Sequence, residues 1–129
     1  LSLRSDRIIE KKYGITEGRD AFRQLMAMIT PPTAVICGSD VYAIGAILEC
    51  ERMKIRVPED VSISGFDDLE ISRHLNPSLT AVNVPANQMG RLAAEYLLAR
   101  LADRPAAMRT ELDCVLSLRN SVGPPPVGT

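Results

Sequence analysis

The order strand, helix, strand between positions 34 and 66 constrains this chain more than any other feature of its sequence. Ala34-Val35-Ile36-Cys37 is a short apolar run rich in β-branched residues and bounded by Pro32 and Gly38, which reads as a buried strand. Val61-Ser62-Ile63-Ser64-Gly65-Phe66 alternates up to Asp67-Asp68, and a period of two belongs to a strand. Between them, 40–53 carries apolar residues at helical spacing behind Ser39 and Asp40. A helix joining two strands of one sheet returns the chain to its starting end, so the strands run parallel with a right-handed crossover. The expected class is α/β, a parallel sheet flanked by helices.

The rest of the pattern extends this unit. Ala21, Phe22, Leu25, Met26 and Ile29 predict an amphipathic helix over 18–29, opened by Thr16 or Glu17. Thr30-Pro31-Pro32 ends it, because proline lacks an amide proton and restricts the residue before it. In 40–53, Val41, Ile44 and Leu48 form one apolar stripe and Ala43, Ile47 and Cys50 another. So wide a face predicts burial against two surfaces, the helix's own sheet and a neighbouring subunit. Thr80-Ala81-Val82-Asn83-Val84 predicts a strand closed by Pro85, and Met89, Leu92, Ala93, Tyr96, Leu97 and Leu101 predict a helix over 88–101. A weakly alternating strand follows over 111–119, and 121–129, rich in Pro and Gly, is expected to be a disordered tail.

Composition narrows the function. With 46% hydrophobic and 24% charged residues over 129 positions, the chain is long enough to bury a core without disulfide or metal. Its net charge is −1 and its densest basic cluster is Glu10-Lys11-Lys12, whereas a protein that neutralises phosphates carries a basic excess or stripe. No direct nucleic-acid contact is expected. No apolar run is long enough to span a bilayer, and 1–7 has no signal-peptide core, so the expectation is a cytoplasmic chain away from membranes. Cys37, Cys50 and Cys114 form no C-x-x-C pair and are expected to be buried, reduced thiols rather than a disulfide framework. The first residue is Leu rather than Met, as expected of an excised or processed chain.

In open α/β sheets, ligands bind beyond the carboxyl ends of the strands. Gly38-Ser39-Asp40 and Asp67-Asp68 follow the two strands of the βαβ unit, so Ser39 and Asp67 are expected at one edge. Ser39 and Asp40 can cap the following helix or contact a small polar ligand; Asp67 and Asp68 leave the same choice open, and a carboxylate pair can also perform acid/base work. No catalytic or metal-binding partner accompanies them. His74 is the only histidine, and no nucleophile elbow, phosphate loop or dinucleotide fingerprint is present. His74 is expected in a loop and Cys37 as inert, with no cofactor, no metal and no enzyme activity. Tyr13, an aromatic ahead of a helix, serves either as core or as a stacking wall.

Several motifs stand in a specific order: Pro32-Thr33-Ala34-Val35-Ile36-Cys37-Gly38-Ser39-Asp40, Ala43-Ile44-Gly45-Ala46, Val57-Pro58-Glu59-Asp60-Val61-Ser62, Gly65-Phe66-Asp67-Asp68, Asn76-Pro77-Ser78-Leu79-Thr80, and the helix over 90–98. Over 9–120 the chain resembles the C-terminal part of the effector-binding domain of LacI/GalR-type bacterial transcription regulators, a two-lobed domain resembling type I periplasmic binding proteins. The resemblance implies that Asp67 hydrogen-bonds the effector, that Tyr13 stacks on it, and that Ser39, where the family often has Asn, contacts it from the neighbouring strand. Asp40 is then left as the helix cap. The resemblance also places Ile44 and Leu75 at a homodimer interface.

It implies a partial domain over 1–120, in which 8–84 belongs to the C-terminal lobe, 85–104 crosses toward an N-terminal lobe mostly absent here, and 110–119 returns. The Leu92, Tyr96 and Leu97 face of the crossing helix should then be under-covered, and a strand and helix that open the family's lobe are not found before Ile8. The implied function is to bind a small sugar-like or nucleobase-like effector, dimerise, and alter operator DNA binding through a helix-turn-helix headpiece outside this chain. The alternatives are a lobe of a periplasmic sugar-binding protein and a small α/β enzyme using Asp67 and Asp68.

Overall fold

A computed structural model describes residues 5–107 and 109–126. Positions 1–4 of the expected domain and 127–129 of the expected tail lie outside the described residues. After a 3-10 turn, Ser5–Arg7, come helix α1 (Ile15–Met26), strand β1 (Ala34–Ile36), helix α2 (Asp40–Met53), strand β2 (Ser62–Asp67), a second 3-10 segment (Glu70–His74), strand β3 (Thr80–Asn83), helix α3 (Ala86–Leu101) and strand β4 (Val115–Ser117).

The sheet has the order β1-β2-β3-β4. β1 and β2 pair in parallel with Val35 opposite Ile63, and β2 and β3 pair in parallel with Asp67 opposite Asn83. β4 returns antiparallel along β3, with Val82 opposite Leu116. The βαβ unit and the α/β class expected from the 34–66 pattern are therefore present. Because strand side chains alternate between faces, Val61, Ile63 and Ala81 join Cys37 and Leu79 in one core with Phe22 of α1 and Ala43, Ala46, Ile47 and Cys50 of α2. The other face is more open, with Ile36 87% and Phe66 40% exposed.

Within the chain, α2 also packs against α1. Gly45 and Glu49 are buried on α2, and Gly18 on α1; a methyl at Gly18 would come within 2.6 Å of the Tyr42 carbonyl oxygen. The two helices meet at glycine-to-backbone distance. Glu49 is buried where they meet, and Arg19, Arg23 and Arg52 all bond it. The Val41, Ile44 and Leu48 stripe stays half-covered or exposed.

Three expectations need correction. α1 begins at Ile15 and stops at Met26 rather than Ile29; Ile29 is fully exposed, and with nothing to pack against, the last apolar residue of the pattern does not prolong the helix ahead of Pro31. The segment 121–123 is not a disordered tail. Ser121 is buried, its Oγ accepting from the Thr80 amide at 2.8 Å and donating to the Ile63 carbonyl at 2.6 Å, while Gly123 bonds Ser62. The chain end thus satisfies backbone groups at the sheet that strand pairing leaves over. Finally, Cys114 is exposed, because it precedes β4, where Val115 and Leu116 are uncovered as well.

No residue of α3 is buried. Tyr96 bonds Thr110 through its hydroxyl at 2.8 Å, and Ala107, Arg109, Thr110 and Leu112 lie beside the half-buried Leu92 and Tyr96, while Leu97 remains 61% exposed. Among the described residues no helix is long and apolar enough to cross a membrane.

Candidate functional site

Parallel pairing of β1 with β2 brings their carboxyl ends together, and the residues that follow each strand meet there. Ser39 has the extended backbone of a helix N-cap, its Oγ accepting from the Val41 amide at 3.3 Å. The same hydroxyl donates to Asp67 Oδ2 at 3.2 Å. Capping and a place at the site are not alternatives for Ser39: one hydroxyl does both, because it has one proton to give and lone pairs to accept with. Ser39 is buried and Asp67 half-exposed, so of the two it is Asp67 whose remaining lone pairs face outward chemistry.

Asp40 does not cap the helix. Its side chain is buried, and Oδ2 accepts from the Leu69 amide at 2.7 Å and from the Ser72 hydroxyl. Oδ1 is buried without a hydrogen-bond partner among the described residues. Gly65 makes this arrangement feasible, since a methyl there would stand 2.2 Å from Asp40 Oδ1. Asp40 thus fixes the turn after β2, and its neighbour Ser39 fixes the carboxylate at the end of β2.

Asp67 and Asp68 separate in role. Both have positive φ, 109° and 56°, a region L-residues rarely occupy without local support, although Asp tolerates it better than most. Asp68 accepts from Arg119 Nη2 at 2.6 Å, Ser117 Oγ at 2.8 Å and Asn83 Nδ2 at 3.1 Å. Burial pushes its carboxyl up, but the bonds from Arg119, Ser117 and Asn83 together with the Arg119 charge outweigh this and hold it below the ordinary carboxylate range. It stays ionised and has no proton to share with Asp67. Arg119, Ser117 and Asn83 were not found from sequence, because each lies 15 or more positions from Asp68 and carries no local motif.

Tyr13 is 69% exposed and packs edge-on against Tyr42, ring centroids 5.9 Å apart at 73°. Tyr42, in the first turn of α2, also donates its hydroxyl to the Lys11 carbonyl, which ties the segment before α1 to the helix that Ser39 opens. An open aromatic face is thereby held beside the α2 N-terminus. Ile44 and Leu75 are half-buried, Leu75 packing against the core. His74 is exposed. Burial, aided by the Asp40 charge, pushes the Cys37 thiol up to about 12, which leaves no thiolate near neutral pH. Among the described residues no group of His, Cys, Asp and Glu is arranged to hold a metal ion.

Comparison with known proteins identifies the family. Residues 3–122 match the family described as periplasmic binding protein-like domain. The HTH-type transcriptional repressor PurR of Erwinia tasmaniensis is 34% identical over 125 residues, covering 96% of this chain and 37% of that protein. The ribose operon repressor of Haemophilus influenzae is 37% identical over 112 residues, covering 84% of this chain and 34% of its own length. Among solved structures, a complex of the transcriptional regulator CelR with cellobiose superposes with a TM-score of 0.86 at 29% identity, covering 94% of this chain and 37% of that one. The chain spans about a third of the length of these curated relatives, which are 37% and 34% covered.

Proposed function

From the premise that this chain belongs to the periplasmic binding protein-like domain family, as an effector-binding domain of LacI/GalR transcriptional regulators, we propose that it senses a small polar ligand through Asp67. The observation that carries this reading is the bond from Ser39 Oγ to Asp67 Oδ2, 3.2 Å, at the carboxyl edge of adjacent parallel strands. One carboxylate oxygen is oriented by the protein, and the remaining lone pairs accept from hydroxyl or N–H groups of a ligand. Tyr13 supplies an aromatic face, which suits the apolar side of a sugar ring or a nucleobase. Ser39, buried and with its one proton given to Asp67, acts on the ligand chiefly by aiming that carboxylate.

The same reading assigns 8–84 to one lobe, 85–104 to a crossing helix and 110–119 to a returning strand. Ligand binding draws this lobe toward a second one, and the change reaches operator DNA through a headpiece outside this chain. Ile44 and Leu75 belong to a homodimer interface. The readout is binding rather than turnover, since Asp68 is held in its ionised form by three donors and does not serve beside Asp67 as a general acid. Among the relatives, a ribose operon repressor and a regulator solved with cellobiose favour a sugar-like effector.

The test is a thermal-shift screen of the protein against D-ribose, cellobiose, sugar phosphates, nucleosides and purine bases, repeated with Asp67→Ala. A ligand at 100 times its Kd stabilises the native state by about 2.7 kcal/mol, and this shift is expected to vanish in the variant. A ligand that stabilises both proteins equally refutes the assignment of Asp67.

A further inference from the structure

Asp67 ends β2 and Asp68 follows it; Asp67 is half-exposed, whereas Asp68 is turned into the protein. Asp68 has a side chain 3% exposed and three donors from two other strands or their flanks: Asn83 at the end of β3, Ser117 in β4 and Arg119 just after it. Arg119 is itself fixed at three points. Its Nη2 reaches Asp68 Oδ1 at 2.6 Å, its Nη1 donates to the Leu79 carbonyl at 2.6 Å, and its amide donates to Thr80 Oγ1 at 2.8 Å. The guanidinium therefore spans from the start of β3 to the turn after β2, with no freedom to follow Asp68 elsewhere.

The backbone gives this arrangement a consequence for Asp67. Residues 67 and 68 both have positive φ, a pair of conformations that persists only where the surroundings hold it. On one flank stands the Ser39 hydroxyl, bonded to the Asp67 carboxylate; on the other stands the Asp68 carboxylate, bonded into β3 and β4. Release of Asp68 removes the side-chain anchor next to Asp67, whose backbone stays paired with Asn83 of β3, and leaves the carboxylate direction to the 3.2 Å contact with Ser39.

We infer that Asp68 and Arg119 are positioning residues for the ligand site: their ion pair sets the direction of the Asp67 carboxylate, so that the placement of the returning strand β4 is felt at the ligand contact. The inference deepens the reading of Asp67 as that contact and rests on it for its functional meaning, though the positioning itself is testable without a ligand. Because β4 is reached by way of α3, none of whose residues is buried, a movement of that crossing segment has a short, stiff route to Asp67.

The experiment uses the chain labelled with 13C at the aspartate carboxyl carbons and reads the Asp67 carboxyl resonance by NMR at neutral pH, with Asp67→Asn identifying it and Ser39→Ala marking its position once the Ser39 bond is gone. Asp68→Asn, Arg119→Gln, Arg119→Lys and the double variant Asp68→Asn/Arg119→Gln are compared. If the pair positions Asp67, each change moves the Asp67 resonance in the direction of Ser39→Ala, with the double variant no further displaced than the more displaced single. Charge alone predicts displacements of opposite sign for loss of a negative and of a positive neighbour, so opposite displacements for Asp68→Asn and Arg119→Gln overturn the inference.

Arg119→Lys keeps the charge and the fold-compatible stem but loses the fork that reaches two acceptors at once. An Asp67 resonance unmoved in this folded variant, with only its melting temperature lowered, means a purely structural ion pair and also overturns the inference. The ligand reading fails separately: if Asp67→Ala leaves the thermal shifts from D-ribose and cellobiose intact while Arg119→Lys still displaces the Asp67 resonance, positioning stands and Asp67 is not the ligand contact.

Discussion

Ser121 illustrates how a single hydroxyl can decide the fate of a segment. By composition its surroundings, Val122-Gly123-Pro124-Pro125-Pro126, belong to a loose tail, yet its Oγ serves the Thr80 amide and the Ile63 carbonyl in a fully buried place. Ser121→Ala leaves a buried donor and a buried acceptor unsatisfied, so it is expected to destabilise the chain by about 1–3 kcal/mol in urea denaturation. Ser62→Ala, which removes only half-buried bonds to Gly123, is expected to cost less; equal costs would place the importance of 121–123 outside these bonds. Asp40 makes the same point from the other direction. Its position after Ser39 reads as a cap, and only the approach of Leu69 and Ser72, about 30 positions on, turns it into a buried brace. Asp67 and Ser39 were legible because strand order alone brings them to one edge, whereas Asp68 was not separable from Asp67 until Arg119 was seen to reach it.

At the scale of elements, the limits of α2 were legible to the residue, Asp40–Met53, because a cap at one end and a left-handed Lys54 at the other coincide with the apolar pattern. Its neighbour was not. Sequence periodicity predicts burial of α2 against its own sheet and a neighbouring subunit; the structure adds α1, which packs on α2 with Gly18 and Gly45 allowing backbone contact, while the Val41, Ile44 and Leu48 stripe stays half-covered or exposed. A methyl at Gly45 would lie 2.3 Å from the Ile15 carbonyl oxygen and 2.8 Å from the Arg19 amide nitrogen, atoms that move only if the helices part. Gly45→Ala is therefore expected to destabilise by about 1–3 kcal/mol, against the stabilising direction that helix propensity alone gives. Gly90, in exposed α3 with nothing within 4 Å of such a methyl, is the counterpart: Gly90→Ala is expected to stabilise by about 0.5–1 kcal/mol. If the two substitutions changed the urea midpoint in the same direction, close packing of α1 on α2 would not be the controlling effect.

Across the whole molecule, the buried ionic junction of the two helices couples stability to pH. The bond from Arg52 contributes most to holding the Glu49 carboxyl down; burial opposes it, and the bonds from Arg23 and Arg19 add to the lowering, which brings the carboxyl from its ordinary 4.5 to about 2. The unfolded chain therefore takes up this proton first. The stabilisation is fully present above about pH 4.5 and is lost as pH falls through about 2; Asp68, also held low, adds in the same direction. Melting temperature is expected to fall steeply across that window and to fall less in Glu49→Gln, which starts from a lower value at neutral pH. An acid limb of unchanged slope in Glu49→Gln would assign the pH dependence to other groups.

Sequence by itself determined the α/β class, the βαβ unit, the family resemblance and the edge that holds Ser39 and Asp67, since these follow from periodicity and strand order, which are local or need only one crossover to be placed. Tertiary structure alone decided which carboxylate is braced and which is open, which surface of α2 meets α1, and that Ser121 is buried. Each of these depends on a hydrogen bond or close contact between residues 24 to 58 positions apart. Such pairings are set by how whole elements stack, a choice made by packing and polar satisfaction across the chain and left without any mark in the spacing of neighbours.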